Sequence, residues 1–129
     1  MSSKKTAILT ENAPQLPGIL NQAIVANGTV YCSGQVALDP ATGKLIEGDI
    51  KAHTHQSLKN LTAILQASGT TLENVVKVNV FLADMRDFGA MNEAYATYFG
   101  EVKPCRTCVA VKQLPLGTDV EIECVAVLP

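Results

Sequence analysis

The alternation of apolar and polar residues near the C-terminus predicts two β-strands, over 106–113 and 120–127. β-Branched residues recur at alternate positions on both sides of a turn-forming Pro-Leu-Gly segment at 115–117. Because a turn joins the strands, we expect them to pair as an antiparallel hairpin. Side chains alternate between the faces of a strand, so Arg106 is predicted to point away from the valines of its own strand.

The second predicted strand carries two carboxylates among apolar residues. The even positions from 120 to 126 are apolar, whereas Glu121 and Glu123 take the opposite face. Charged side chains are seldom fully buried unless they are paired, so Arg106 and the two glutamates indicate a rim, an interface or a site. A structural ion pair or a solvated sheet face explains the same pattern. The strand pattern alone leaves these alternatives open.

The rest of the chain predicts further strands and two helices. In order they are an edge strand at 6–9, a hairpin of 23–26 and 29–33, a looser hairpin or excursion at 36–46, a helix at 49–68, a central strand at 75–82 and a helix from 87 to about 99. The Asn27-Gly28 turn supports the hairpin because both turn positions require positive φ. Gly69 is predicted to end the first helix, and Asp87 to cap the second.

This order of elements predicts an α+β sandwich, with two helices on one face of a mainly antiparallel sheet. At 129 residues the chain is predicted to form a single domain, residues 1–129. The strand at 75–82 is predicted to direct Val76, Val78, Val80 and Leu82 to one face and Val75, Lys77, Asn79 and Phe81 to the other. Two helices cover only one face, so we expect the apolar residues of the other face to be buried against further copies of the chain.

Composition and charge restrict the partners and the location. Hydrophobic residues make up 47% of the chain and charged residues 17%, as in folded globular proteins. The net charge of -2 and the scattered lysines argue against a nucleic acid as the main partner. No apolar run approaches the ~18 residues that a membrane helix needs. We therefore expect a cytoplasmic protein, or a mitochondrial one if a presequence has been removed.

The cysteines and histidines give weak signals for metal or redox chemistry. The four cysteines are predicted to be reduced. Cys105 and Cys108 have a C-x-x-C spacing, but on a strand this spacing sends their sulfurs to opposite faces. His53 and His55 lie about 200° apart around a helix and so cannot chelate one metal ion. We predict no metal site, and we expect both histidines near the solvent side of the helix, without a function.

Several motifs match one known pattern when they are taken together. The C-terminal motifs are Pro104-Cys105-Arg106-Thr107-Cys108-Val109, Leu114-Pro115 and Val120-Glu121-Ile122-Glu123. Further matches are Glu11-Asn12-Ala13-Pro14, Ser33-Gly34-Gln35, the run from Val75 to Asp84, and Asp87-Phe88 with Asn92. In this combination the chain resembles the RidA (YjgF/YER057c) family.

The resemblance implies a chorismate-mutase-like fold and a homotrimer with sites in the clefts between subunits. It also implies hydrolysis of 2-imino or enamine acids, such as 2-aminoacrylate, to 2-keto acids and ammonia, as in 2-iminobutanoate/2-iminopropanoate deaminase. No metal or organic cofactor is implied.

Site residues are also implied by the resemblance. Arg106 is expected to bind the substrate carboxylate, and Glu121 to orient or deprotonate the attacking water. The other expected pocket residues are Gly34, Asn92, Thr107 and Cys108, with Cys108 lining the pocket and not acting as a nucleophile. The chain departs from the family at Leu20, where a tyrosine is usual, so an altered substrate preference is predicted. The role of Glu123 stays open.

Two other functions compete with the deaminase. A non-catalytic trimeric module for small carboxylates, or a chaperone-like module, would account for Leu20 and would still use Arg106. A ribonuclease or translation inhibitor is the weaker alternative, because the chain has an acidic balance and no stripe of basic and aromatic residues.

Overall fold

The computed structural model describes residues 4–129 and contains two helices and one mixed sheet of six strands. The strands are β1 (Thr6–Ile8), β2 (Ala23–Ala26), β3 (Thr29–Gln35), β4 (Val75–Leu82), β5 (Cys105–Ala110) and β6 (Val120–Val127), and the helices are α1 (Ile50–Ser68) and α2 (Phe88–Tyr95). The strand order is β1-β2-β3-β6-β4-β5, and only β4 and β5 pair in parallel. The predicted α+β fold with a mainly antiparallel sheet is confirmed.

Local signals explain the elements that were predicted well. The β2–β3 hairpin turns at Asn27 and Gly28, whose φ angles are 51° and 70°. Helix α1 begins after Asp49, whose side chain accepts a hydrogen bond from the Ala52 N–H at 3.0 Å. It ends at Gly69, which has the left-handed φ of 91°.

The core lies between the two helices and one face of the sheet, which we call the covered face. Helix α1 contributes Leu58, Leu61, Ile64 and Leu65, all buried, and α2 contributes Met91. The even-numbered residues of β6 from Val120 to Ala126 are buried against them, as the alternation predicted. The other face, which we call the open face, carries the odd-numbered residues of β6.

The predicted pairing of the C-terminal strands is wrong. Strand β5 pairs in parallel with β4, and β6 lies between β3 and β4, antiparallel to both. The connection after β5 therefore crosses β4 and does not form a hairpin turn. The physical reason is that β4 has eight residues, as β6 does, and pairs with it along its whole length, whereas β5 has only six residues.

Strand β4 departs from strict alternation at its start. Its register against β6 shifts between Val75 and Lys77, which marks a β-bulge. Val75 is therefore buried and Val76 is 45% exposed, the reverse of the prediction. From Val78 onward the predicted faces are observed, with Val78, Val80 and Leu82 buried.

Helix α2 is shorter than predicted and lacks the predicted cap. It ends at Tyr95, and Asp87 makes no side-chain capping bond. The capping carboxylate is Asp84, which accepts from the Arg86 N–H at 2.9 Å and so begins the 3₁₀ turn before α2. The capping bond thus lies one turn earlier than the helical periodicity indicated.

Both histidines of α1 are half-buried, so the prediction that they lie on the solvent side is wrong. The His53 ring nitrogens lie 2.7 Å from Asp119 Oδ1 and 3.0 Å from the Ile46 carbonyl oxygen. His55 Nδ1 lies 2.9 Å from the Tyr98 hydroxyl. The hydrogen bonds tie α1 to neighbouring segments, which explains why these polar rings face inward.

The open face keeps apolar side chains accessible. Tyr31, Val109 and Val127 are exposed, and Phe81 and Val125 are half-buried. Between residues 4 and 129, no helix is long and apolar enough to cross a membrane.

Candidate active site

Arg106 lies on the edge strand β5, and its side chain points toward α2. Its Nη1 donates a hydrogen bond to Asn92 Oδ1 at 2.7 Å. The guanidinium carbon lies 4.7 Å from the ring centroid of Tyr95 and 5.6 Å from that of Phe88, within cation–π range. A hydrogen bond and two aromatic rings therefore orient this cation.

The oriented guanidinium is suited to bind an anion. A guanidinium has five N–H donors in a planar fork, so the bond to Asn92 leaves donors for the two oxygens of a carboxylate. Arg106 is half-buried, which weakens the competition from water. Burial raises the pKa of the Tyr95 phenol, so this ring is neutral beside Arg106 at neutral pH.

Cys108 and Thr107 follow Arg106 on the strand and take opposite faces. Cys108 is half-buried on the covered face, and burial raises the pKa of its thiol although Arg106 opposes this effect. At neutral pH the thiol is therefore protonated, which suits a lining residue better than a nucleophile. The Thr107 hydroxyl lies on the open face and accepts a hydrogen bond from Lys77 Nζ at 3.0 Å.

Glu121 lies on β6 at the open face, beside a cleft of about 280 Å³. The cleft is lined by Leu20, Gly34 and Glu121 together with the 14–16 loop, residues 35, 36 and 38, and the turn at 115–116. Most of its walls are apolar, and Glu121 is its one charged residue. A water or a polar reacting group in this cleft would have a carboxylate beside it.

Gly34 allows the Glu121 side chain to take this position. A Cβ at residue 34 would lie 2.9 Å from both Cδ and Oε2 of Glu121, closer than such contacts occur. The Glu121 side chain therefore lies directly against the Gly34 backbone across the β3–β6 pair. Any larger residue at this position would displace the carboxylate.

Burial and a neighbouring charge both act on Glu121. Burial raises the pKa of the Glu121 carboxyl, and the Glu123 carboxylate raises it further. Glu123 itself accepts a hydrogen bond from Asn79 Nδ2 at 3.0 Å. A carboxylate with a raised pKa is a stronger base than an exposed one.

Gln22, which sequence reasoning missed, holds one wall of the cleft. It is 2% exposed, and its Oε1 accepts a hydrogen bond from the Thr10 N–H at 2.7 Å. Its Nε2 lies 3.0 Å from the carbonyl oxygens of Thr10 and Ala13 and 2.8 Å from that of Pro14. These bonds fix the loop that leads into the cleft, and no sequence signal distinguishes this glutamine from a surface residue.

The structure divides the predicted site residues into two groups. Arg106, Asn92 and Cys108 lie on the covered face, whereas Leu20, Gly34 and Glu121 lie at the cleft on the open face. Strand β4 separates β5 from β6, so one chain does not bring the two groups into contact.

Phe88 and Tyr95, the two aromatic residues beside Arg106, were not among the predicted site residues. Phe88, Asn92 and Tyr95 have the spacing that places three side chains on one face of a helix. Asn92 lies beside the apolar stripe of this helix, and the helical pattern fits a surface or capping polar group there as well as a pocket residue. In the part of the chain that the structure describes, no three His, Cys, Asp or Glu residues are grouped to hold a metal ion.

Comparison with known proteins identifies the family. The family model described as Endoribonuclease L-PSP matches residues 10–128. The chain belongs to this family, and its relatives include a protein from Arabidopsis thaliana named Reactive Intermediate Deaminase A, chloroplastic. That protein is 45% identical, over 98% of this chain and 68% of its own length. The predicted RidA membership is confirmed.

Two further relatives bear on the site. A mouse protein named 2-iminobutanoate/2-iminopropanoate deaminase is 47% identical, over 95% of this chain and 91% of its own length. The crystal structure of E. coli TdcF with bound serine has a TM-score of 0.90 and 34% identity, and the match covers 96% of this chain and 99% of TdcF. The chain is therefore similar in sequence to a protein named as an imine deaminase, and similar in fold to a protein whose crystal structure contains bound serine.

Proposed function

We propose that this chain is a 2-iminobutanoate/2-iminopropanoate deaminase, a hydrolase that converts 2-imino and enamine acids to 2-keto acids and ammonia. The observations that support the proposal are an oriented guanidinium at Arg106 and a carboxylate of raised pKa at Glu121, which a second copy of the chain would bring together. The mouse relative of that name supports the same reaction.

Arg106 would bind the substrate through its carboxylate. Two parallel N–H···O bonds orient a planar carboxylate, and Asn92 and Tyr95 keep the guanidinium in place. The imine carbon next to that carboxylate is then fixed relative to the attacking water. Cys108 and the backbone at Thr107 would line the same end of the pocket.

Glu121 would activate the water. Its carboxylate accepts a proton as the water oxygen forms a bond to the imine carbon, and it returns that proton to the imine nitrogen, which gives a carbinolamine. The proton of the new hydroxyl then passes through the same carboxylate to the amine nitrogen as the C–N bond breaks and the C=O bond forms, which leaves the 2-keto acid and ammonia. An enamine such as 2-aminoacrylate enters this sequence after protonation of its terminal carbon. No metal or organic cofactor takes part in these steps.

A site of this kind requires two subunits, because Arg106 and Glu121 lie on opposite faces in one chain. We propose a homotrimer in which the Arg106 edge of one subunit meets the Glu121 cleft of the next. The accessible apolar side chains of the open face, such as Tyr31, Val109 and Val127, support burial between copies. The cytoplasmic location stays a prediction.

A carboxylate-binding module would use Arg106 in the same way, so binding alone does not identify the enzyme. The decisive experiment is hydrolysis of 2-iminopropanoate that an amino-acid oxidase generates in situ, with semicarbazide to trap the remaining imine. Wild type is expected to deplete the imine, and Arg106→Ala and Glu121→Gln are expected to lose at least about 100-fold in kcat/KM.

Two matched variants serve as controls. Arg86→Ala removes an exposed arginine that pairs with Asp84, and Glu101→Gln removes an exposed glutamate. Both are expected to keep wild-type rates. A folded wild-type protein that leaves every imine intact would refute the proposed reaction and favour the binding module. Cleavage of RNA by wild type that Arg106→Ala abolishes would support the ribonuclease alternative instead.

A further inference from the structure

We infer that the Glu121 cleft selects 2-imino acids with branched apolar side chains, and that Leu20 and Leu116 set this preference. The inference rests on the proposed function, and it names the substrate class of that same site. Three observations support it: the apolar lining of the cleft, the left-handed backbone conformation of Leu116 and the volume of the cleft beside Glu121.

Three exposed leucines surround one carboxylate. Leu16, Leu20 and Leu116 line the cleft and are 54%, 46% and 67% exposed. A single exposed leucine is ordinary on a protein surface, but three around one concave site form a patch that a ligand can cover. Glu121 is the one charged residue of the lining, so the substrate side chain would meet mainly apolar groups.

Leu116 is held in an unfavourable backbone conformation. Its φ of 60° and ψ of 16° lie in the left-handed region, which a residue with a Cβ seldom adopts. Two hydrogen bonds close the turn around it, from the Gly117 N–H to Leu114 O at 3.2 Å and from the Thr118 N–H to Pro115 O at 3.2 Å. Strain of this kind persists where the surroundings impose it, often at ligand sites. Here it keeps a large apolar side chain at the rim of the cleft.

Leu20 adds a second apolar wall from a fixed loop. Its N–H donates to Leu16 O at 3.3 Å, which joins the two leucines in one turn. The Gln22 side chain anchors the preceding loop through Thr10, Ala13 and Pro14. A leucine offers no hydrogen bond, so this wall favours a hydrocarbon over a polar substituent.

The space fits a side chain larger than methyl. The cleft volume of about 280 Å³ is many times the roughly 10–15 Å³ that a single water needs. Two of these leucines, Leu16 and Leu116, also line an adjoining hollow of about 560 Å³. A branched four-carbon side chain would bury much of the apolar area of the cleft walls, whereas a methyl group would leave most of that area in contact with water.

The kinetic test compares imines from leucine and from alanine, each generated in situ by an amino-acid oxidase. Since one methylene in an apolar pocket changes kcat/KM by about 10-fold or more, wild type is expected to favour the leucine-derived imine at least about 10-fold. Leu116→Lys keeps the side-chain length and the backbone strain but adds a charge, and it is expected to abolish the preference. Leu20→Lys should do the same. Leu9→Lys, at an exposed leucine outside the cleft lining, should keep the wild-type ratio.

A binding test separates this inference from the proposed reaction. Calorimetric titration with the stable analogues 4-methyl-2-oxopentanoate and pyruvate is expected to give wild type about 10-fold tighter binding of the former. Leu116→Lys should bind both equally. Selective binding without hydrolysis of any imine would refute the deaminase and keep the inference. Equal affinities in wild type, or a ratio that Leu116→Lys leaves unchanged, would overturn the inference even if the protein hydrolyses imines.

Discussion

Arg106 and Glu121 lie on opposite faces of one sheet, and strand β4 runs between the strands that carry them. Within a single chain, a substrate bound to the guanidinium therefore does not reach the carboxylate. The proposed reaction thus depends on a second copy of the chain, which makes assembly part of the chemistry.

The first prediction uses this separation. Arg106→Ala and Glu121→Gln are each expected to be inactive alone, but mixed trimers refolded from equal amounts should regain activity. A site needs an intact Arg106 from one subunit and an intact Glu121 from the next. When equal amounts of the two variants mix at random, each of these residues is intact with a probability of one half. The expected recovery is therefore about a quarter of the wild-type rate.

The measurement is imine depletion by the refolded mixture, with each variant refolded alone as the control. A mixture of Arg106→Ala with a double variant that carries both substitutions should stay inactive, because no Arg106 is present. If co-assembled trimers of the two single variants regain no activity, the two residues do not share a site between subunits.

Gly34→Ala tests whether the position of the Glu121 carboxylate matters. The added Cβ would lie 2.9 Å from Glu121 Oε2, and the flexible carboxylate end can move away at small cost to the fold. We expect the free energy of unfolding to change by less than about 1 kcal/mol. A displacement near 1 Å at a reacting group costs about 100-fold in rate, so kcat/KM is expected to fall by about that factor.

The control for this variant is Gly100→Ala, where an added Cβ meets nothing within 4 Å. It should leave both kcat/KM and the denaturant midpoint near wild type. Full activity of Gly34→Ala would show that the carboxylate position does not limit the reaction.

The pH dependence should report the Glu121 carboxyl of β6. A base acts in its ionised form, so the rate is expected to fall as the pH drops through the pKa of Glu121. Because that pKa is raised, the acid limb should lie at higher pH than the pKa of an ordinary exposed glutamate. Glu123→Gln removes a neighbouring negative charge and keeps an oxygen for Asn79, so it should lower the Glu121 pKa.

The measurement is kcat/KM against pH for wild type and Glu123→Gln, with the exposed Glu101→Gln as the control. The acid limb of Glu123→Gln is expected at lower pH than that of wild type, and the limb of Glu101→Gln should not move. An upward shift in Glu123→Gln would contradict the assigned repulsion.

Local patterns were sufficient for some elements of the fold. The Asn27-Gly28 turn and the capped helix Ile50–Ser68 depend on residues that are close in sequence, so their signals survive without tertiary information. The partner of β6 depends on competition among strands far apart in sequence. A turn at 115–117 therefore indicated a hairpin that the sheet does not contain.

The same distinction applies to the site. The alternation of apolar and polar residues along each strand correctly predicted which neighbours share a face with Arg106 and with Glu121, because that property is local. It did not show that these faces are opposite, since the relation requires the true strand order. The contact of Gly34 with Glu121 and the bonds of Gln22 depend on long-range packing, which single-residue patterns do not encode.

Gln22 provides the last prediction, which concerns stability as well as function. Gln22→Met keeps the length of the side chain but removes all its hydrogen bonds, including that to the buried Ala13 carbonyl. Unsatisfied backbone groups of Thr10, Ala13 and Pro14 would then remain, and we expect the free energy of unfolding to fall by about 3 kcal/mol. Denaturant unfolding measures this loss.

The matched control is Gln66→Met, on the exposed side of α1, which should change the free energy of unfolding by less than about 0.5 kcal/mol. Because Gln22 holds the loop that lines the Glu121 cleft, Gln22→Met should also raise KM for imines under conditions in which the protein is fully folded. A raised KM with an unchanged kcat would mean that the loop contributes to substrate binding alone. Wild-type stability in Gln22→Met would show that other contacts hold the loop.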